Sequence, residues 1–208
     1  MPNVEQQVLA HVPLDDGRVK PQGYAHIVLL TVQADALIDW YCEVVGLQSV
    51  MRSPVINFLT FDHSQDRLAI ISTGQAIAQR GATGLDHVAF EYRSLQDLVA
   101  IYHRAGARGL RPHWCVNHGI ATSLYYYDPD GRSIELSVGH FPTREAVNAW
   151  LATGEFNRNP IGVTLNAEDL VRRIESGEDE QEILRPHPLH ASSLEAELER
   201  MRSKPLAS

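Results

Sequence analysis

An extended apolar run begins at Gly23. Tyr24, His26, Val28 and Leu30 fall on one face of it and Ala25, Ile27 and Leu29 on the other, the period-2 arrangement of a strand buried on at least one side. The period then lengthens to that of a helix over Ala34 to Val45. There Leu37, Trp40, Tyr41 and Val44 recur at i, i+3, i+4 and i+7, and Gly46 is set to end the helix. Three short β-like runs follow, Ser49 to Met51, Val55 to Phe61 and Leu68 to Ser72, divided by Arg52-Ser53-Pro54 and by the polar turn Asp62 to Asp66. The pattern so far is βαβββ, spanning residues 21–76, with a polar connector from about Thr73 to Thr83.

The same pattern then restarts. Gly23, His26, Leu37 and Tyr41 have counterparts in Gly84, His87, Leu98 and Tyr102, each sixty-one positions later. The second copy, residues 82–141, continues with a helix from Leu95 to Ala105 and an exit at Gly106 and Gly109. Strands are expected over Leu110 to Cys115, Ser123 to Tyr127 and Ser133 to Val138, the last two joined through the turn Asp128-Pro129-Asp130-Gly131. A repeat of this size predicts an α+β fold. Two paired βαβββ modules bury their apolar faces against each other, helices outside, and curve their sheets into a shared cup.

Outside the repeat the patterning changes. Residues 1–20 lack sustained periodicity and read as an N-terminal arm. Residues 142–208 read as a helical extension. Thr143 caps a helix through Leu151, and Asn166 caps one through Ile174 with Asp169 at N3 and Gly177 as the stop. Ser192 and Glu195 form a capping box for a last helix with Leu194, Leu198 and Met201 on one face. That stripe and the free sheet edges lead us to expect a homo-oligomer.

Composition narrows the function classes. The 208 residues carry a formal net charge of -8, whereas a nucleic-acid surface needs clustered Lys and Arg. No nucleic-acid partner is expected. The longest apolar run falls far short of a membrane span, and the N-terminus has no basic start followed by a hydrophobic stretch, so a cytoplasmic protein without a membrane partner is expected. Cys42 and Cys115 have no metal-type spacing and read as small core residues.

The chemistry lies in the strand histidines. A buried imidazole without partners costs about 1 to 3 kcal/mol, so His87 inside GLDHVAFEY needs a partner. Its twin His26 sits at the equivalent position of the first module, and a pseudo-twofold would bring the two together inside the cup. In Ser133-Ile134-Glu135-Leu136-Ser137-Val138 the apolar residues alternate toward the core, which turns Glu135 to the cup side. A carboxylate there needs compensation, and metal ligation would satisfy all three residues at once. Two imidazoles and one carboxylate form the facial triad typical of non-haem Fe(II), with open positions left for substrate and dioxygen. Mn2+ and Zn2+ are the alternatives. The module-one counterpart of Glu135 is Ile70 or, with a shift of one, Ala69; neither binds metal.

The paired modules, the histidines in GYAHIV and GLDHVAF, and the run SLYYYDPDGRSIELS resemble the vicinal oxygen chelate superfamily, and most closely its small type I extradiol ring-cleaving dioxygenases. The resemblance covers about residues 22–140, and the stretch Asn159-Pro160-Ile161-Gly162-Val163 resembles extensions on short members. It implies an iron enzyme that binds a catecholic substrate through both oxygens and cleaves the ring beside the diol with O2. His26, His87 and Glu135 match the metal ligands. Tyr125, ten residues before Glu135, matches the tyrosine that hydrogen-bonds the substrate oxygen, and His118 resembles a histidine pointing at the oxygen pocket. One departure stands out: Gln65-Asp66 occupies the place of a His-His pair whose second member is the acid/base. Asp66, or His63 from the neighbouring turn, would then have to serve. The departure keeps two other readings open: a metal-dependent lyase, isomerase or hydrolase of the same superfamily, and a protein that sequesters a small aromatic molecule in the cup.

Overall fold

A computed structural model describes residues 21, 23–64, 66–73, 85–158 and 161–184. The expected N-terminal arm, Gly84, Gln65, most of the inter-module connector, Asn159-Pro160 and the helix begun at Ser192 lie outside the described residues. The architecture is α+β, with a four-stranded and a five-stranded sheet.

Sheet A contains β1 (Ile27–Thr31), β2 (Gln48–Met51), β3 (Ile56–Thr60) and β4 (Leu68–Ser72), in the order β1-β4-β3-β2. β1 and β4 are parallel and the other pairs antiparallel. Sheet B repeats this order with β5 (His87–Glu91), β6 (Trp114–Asn117), β7 (Ala121–Tyr127) and β8 (Ser133–Gly139) as β5-β8-β7-β6. A short β9 (Val163–Thr164) is added at the outer edge of β6. It supplies a strand that the helical reading of the tail did not contain. The expected strand at Leu110 to Cys115 forms later, at Trp114–Asn117, which carries the β6–β7 turn directly to His118.

The first helix departs from its expected form. α1 (Ala34–Trp40) continues as a π-helical turn over Tyr41–Val45, closed by Gly46 at φ 92°. Gly46 N–H and Leu47 N–H both donate to the Tyr41 carbonyl. The carbonyls of the wide turn are taken by the second module: Arg104 donates to Glu43 and Val44, and Tyr92 Oη donates to Val45. Tertiary donors thus satisfy groups that a regular α-turn would leave open at its end. α2 (Leu95–Gly106) follows its expected course from the Ser94 cap, whose side chain accepts from Asp97 N–H.

Both modules contribute to one hydrophobic cluster. Leu37, Tyr41 and Val44 meet Leu98, Ile101 and Tyr102 of α2, Ile134 and Leu136 of β8, and residues of the tail. In the tail, α3 (Arg144–Leu151) and α4 (Glu155–Arg158) precede β9, and α5 (Ala167–Glu175) and α6 (Glu180–Leu184) follow it. Thr143 and Asn166 cap α3 and α5 as their sequence positions predict. Leu170, Val171 and Ile174 of α5 join the core. The opposite face of sheet A, by contrast, leaves Val28 45% and Leu30 53% exposed.

Candidate active site

Register explains which side chains meet. On sheet B, Tyr125 of β7 and Ala89 of β5 both lie opposite Glu135, and His87 lies opposite Ser133. Residues paired across a ladder share a face, so His87, Tyr125 and Glu135 project together from three adjacent strands while Ile134 and Leu136 enter the core. The same register decides the module-one counterpart. Val28 pairs with Ala69 as Ala89 pairs with Glu135, so Ala69, and not Ile70, stands in the place of the carboxylate.

Glu135 is buried, hydrogen-bonded from two sides and faced by His118 on a third. His87 Nε2 is 2.9 Å from Oε2, Ser123 Oγ donates to Oε1 at 2.6 Å, and His118 Nε2 lies 3.7 Å from Oε1. Burial pushes the Glu135 carboxyl up, but the hydrogen bonds from His87 and Ser123 and the charge of the His87 ring outweigh it and hold the group below the usual carboxylate range. His87 is raised, first by its hydrogen bond to Glu135 and further by Asp86, whose Oδ2 lies 2.7 Å from Nδ1. With an acceptor at each nitrogen, the ring is held as an imidazolium.

His118 sits just beyond β6, in the turn to β7. Its Nδ1 donates to the Ile161 carbonyl at 2.6 Å, and its Nε2 faces Tyr125 Oη at 3.1 Å. Burial lowers its pKa and keeps it neutral. Tyr125 is buried between Trp114, at a ring separation of 4.9 Å, and His87, at 5.4 Å.

Four of the six expected site residues, His87, Glu135, Tyr125 and His118, therefore form one cluster. His26 does not join it. It precedes β1 and pairs through Nδ1 with Asp66 Oδ2 at 3.1 Å, with a half-exposed ring. Asp66 accordingly sits on the back of His26. His63 is exposed in its turn.

The donors fit a divalent metal in part. His87 Nε2 and Glu135 Oε2 already converge, and the proton between them occupies the place a cation would take. His87 and His26 each have a carboxylate on Nδ1, which leaves Nε2 as the ligating nitrogen, an arrangement common behind metal-bound imidazoles. Among the described residues, however, no three His, Cys, Asp or Glu side chains are grouped closely enough to hold an ion, because His26 stays apart. Sequence reasoning missed Asp86, Ser123 and the Ile161 carbonyl as members of the cluster. Asp86 adjoins His87 in the chain and Ser123 alternates with Tyr125, so both carried a local signal; Ile161 carried none.

The family model described as the Glyoxalase/Bleomycin resistance protein/Dioxygenase superfamily matches residues 23–136, more than half of the chain. The chain belongs to this superfamily. It is 34% identical over 156 residues to biphenyl-2,3-diol 1,2-dioxygenase 2 of Rhodococcus globerulus, covering 74% of this chain and 82% of the relative. Biphenyl-2,3-diol 1,2-dioxygenase 3 of the same organism is 35% identical over 162 residues, covering 76% and 85%. A glyoxylase/bleomycin resistance protein/dioxygenase domain from Frankia sp. EAN1pec superposes with a TM-score of 0.52 at 18% identity, over 62% of this chain and 99% of that domain, and agrees in fold. The superfamily match ends one residue past Glu135. The cluster built around that residue thus combines the superfamily domain with a tail beyond it. No helix among the described residues is long and apolar enough to cross a membrane.

Proposed function

We propose that this chain is an Fe(II)-dependent, extradiol-type dioxygenase that cleaves a catecholic aromatic diol with O2. The observation that carries the reading is the convergence of His87, Glu135, Tyr125 and His118 on one sheet face, in a chain whose relatives are named biphenyl-2,3-diol dioxygenases. His87 and Glu135 would hold the iron, and His26, which lies apart from them, would have to close on the pair to complete the triad, with Asp86 and Asp66 turning the two rings. Ferrous iron held there would supply the electron needed to make dioxygen reactive toward an aromatic diol. Tyr125 and His118 bind the diol. Because Nδ1 of His118 carries its hydrogen toward Ile161, Tyr125 Oη donates to the bare Nε2, and a phenolic oxygen that donates can also accept from a substrate hydroxyl. The buried aromatic surround of Tyr125 keeps water from that hydrogen bond.

A second reading, a non-oxidative lyase, isomerase or hydrolase using the ion as a Lewis acid, draws support from Asp66. Its carboxylate is engaged by His26 and is poorly placed to replace the acid/base of the missing His pair. Elemental analysis of protein purified without added metal, followed by oxygen uptake with a panel of aromatic diols, separates the two. The dioxygenase reading expects bound iron, oxygen consumption and a coloured ring-fission product. Iron-loaded protein that consumes no oxygen with any diol sinks it, and anaerobic turnover supported by Zn2+ or Mn2+ replaces it with the second reading.

A further inference from the structure

Among the described residues, the tail beyond the superfamily domain crosses beside the candidate site at β9. β9 pairs with the end of β6, Asn117 opposite Val163 and Val116 opposite Thr164, and Leu165 N–H donates to the Cys115 carbonyl. Two side chains fasten the crossing. Trp114 Nε1 donates to Thr164 Oγ1 at 2.9 Å, and Ile161 packs against the cluster of Trp114, Val116 and Tyr125. Between them lies Gly162 at φ +104°. A Cβ there would stand 2.5 Å from the Asn117 carbonyl oxygen and 2.9 Å from His118 Cα. Both contacts are with backbone, which cannot swing aside, so this close approach requires glycine on steric and on conformational grounds.

The approach brings the carbonyl oxygen of Ile161 to within 2.6 Å of His118 Nδ1. A carbonyl only accepts, so it fixes the hydrogen of the neutral ring on Nδ1 and leaves Nε2 bare. Nε2 must then accept from Tyr125 Oη at 3.1 Å, which points the tyrosine hydrogen away from the substrate side. The opposite tautomer would reverse the chain: His118 would donate to Tyr125, and Tyr125 would donate to the ligand.

We infer that the crossing at Ile161-Gly162 is a positioning element that sets the direction of the His118–Tyr125 hydrogen bond, so that the site selects a ligand presenting a hydroxyl to Tyr125 over its methyl ether. The ligand class rests on the diol-binding role proposed above for Tyr125; the tautomer does not.

The test uses the full chain with 15N-labelled histidine, metal-free for NMR and iron-loaded for kinetics. Wild type shows His118 protonated on Nδ1. Gly162→Ala, which lifts the carbonyl away, shows a mixed or Nε2-protonated ring, lowers kcat roughly tenfold, the low end for loss of such a supporting contact, and narrows the preference for 2-hydroxyphenol over 2-methoxyphenol in competitive binding. Gly177→Ala controls for backbone strain alone. Gly177 has φ +76° but open space around it, and its variant keeps the wild-type tautomer and kcat. If Gly162→Ala does not fold, Ile161→Ala, which loosens the crossing without a clash, is read in its place. A wild-type ring protonated on Nε2, or a folded crossing variant with an unchanged ring spectrum, overturns the inference. A shifted spectrum in a protein that turns over no diol leaves the positioning role standing and removes the proposed function instead.

Discussion

Glu135 and His87 share a proton that a metal would displace, and this makes their titration a direct probe of the site. The folded pKa of His87 is raised, so its contribution to stability is complete below the ordinary histidine value and is lost as pH rises through the folded value. The folded pKa of Glu135 is lowered, so its contribution is present above the ordinary carboxylate value and is lost as pH falls through the folded one. Between those limits the pair is charged, and metal uptake must expel the His87 proton. Calorimetric titration of Zn2+ into the metal-free protein at pH 6, in buffers of different ionisation enthalpy, is expected to show about one proton released, and Glu135→Gln is expected to weaken the metal at least tenfold. Tyr125→Phe removes one hydrogen bond to His118 without touching a ligand, so kcat should fall about tenfold with metal content unchanged, the equivalent of a bond worth about 1 kcal/mol. His140 lies outside the cluster but supports its turn. Its Nδ1 donates to the Gly119 carbonyl at 3.0 Å and its Nε2 accepts from Thr122 Oγ1 at 2.9 Å, and burial lowers it from 6.5 to about 4. Here the neutral form is the folded one, so stability is lost as pH falls from the ordinary histidine value toward 4, by up to about 3 kcal/mol. Denaturant midpoints measured across that range should drop less steeply in His140→Gln.

The elements show why the first helix ends differently from its repeat partner. α2 ends regularly, whereas α1 gives way to a π-helical turn whose carbonyls are claimed by Arg104 and Tyr92. Arg104→Ala would return two carbonyls to a poorly satisfied end and is expected to cost about 1 to 3 kcal/mol in chemical denaturation, with Arg104→Lys recovering only part because an ammonium cannot span both oxygens. The apolar stripe Leu37, Trp40, Tyr41 and Val44 was legible in the sequence, and all four residues are buried, because packing follows periodicity. The change to π geometry was not, since its carbonyls are met by donors 47 to 61 residues away. The sites divide in the same manner. His87 and Glu135 were readable from strand patterning, and Tyr125 through the family resemblance; the register puts all three on one face of adjacent strands. The grasp of His118 by Ile161 was hidden, since a main-chain carbonyl has no side-chain signature and β9 is only two residues long. His26 was correctly recognised as the twin of His87, yet equivalence in the repeat did not imply contact, because its position relative to sheet B depends on how the two modules meet.

At the scale of the whole molecule, that meeting is made on the helix side. The core cluster runs without a break from Leu37 and Leu59 through Leu98 and Leu136 to Ile174, and polar ties cross the same boundary. Tyr41 Oη reaches Asp128 Oδ2 at 3.4 Å, Gln33 donates to Asp130 at 2.7 Å, and Arg132 binds Asp128, Asp130 and the Leu30 carbonyl. Among the described residues, the face of sheet A that carries Val28 and Leu30 leaves both side chains exposed. Neither module could therefore keep its buried surface if the other unfolded, since each would expose side chains whose truncation alone costs about 2 to 5 kcal/mol. The repeats should unfold as one cooperative unit despite their sequence symmetry. The three tryptophans allow this to be measured: Trp40 reports on module one, Trp114 on the site side of module two and Trp150 on α3. In single-tryptophan variants the Trp40 and Trp114 fluorescence transitions in urea should coincide in midpoint and slope, and Leu98→Ala, in module two, should move both by the same amount. Separate midpoints, or a Leu98→Ala shift confined to Trp114, would mean that the shared core does not couple the modules.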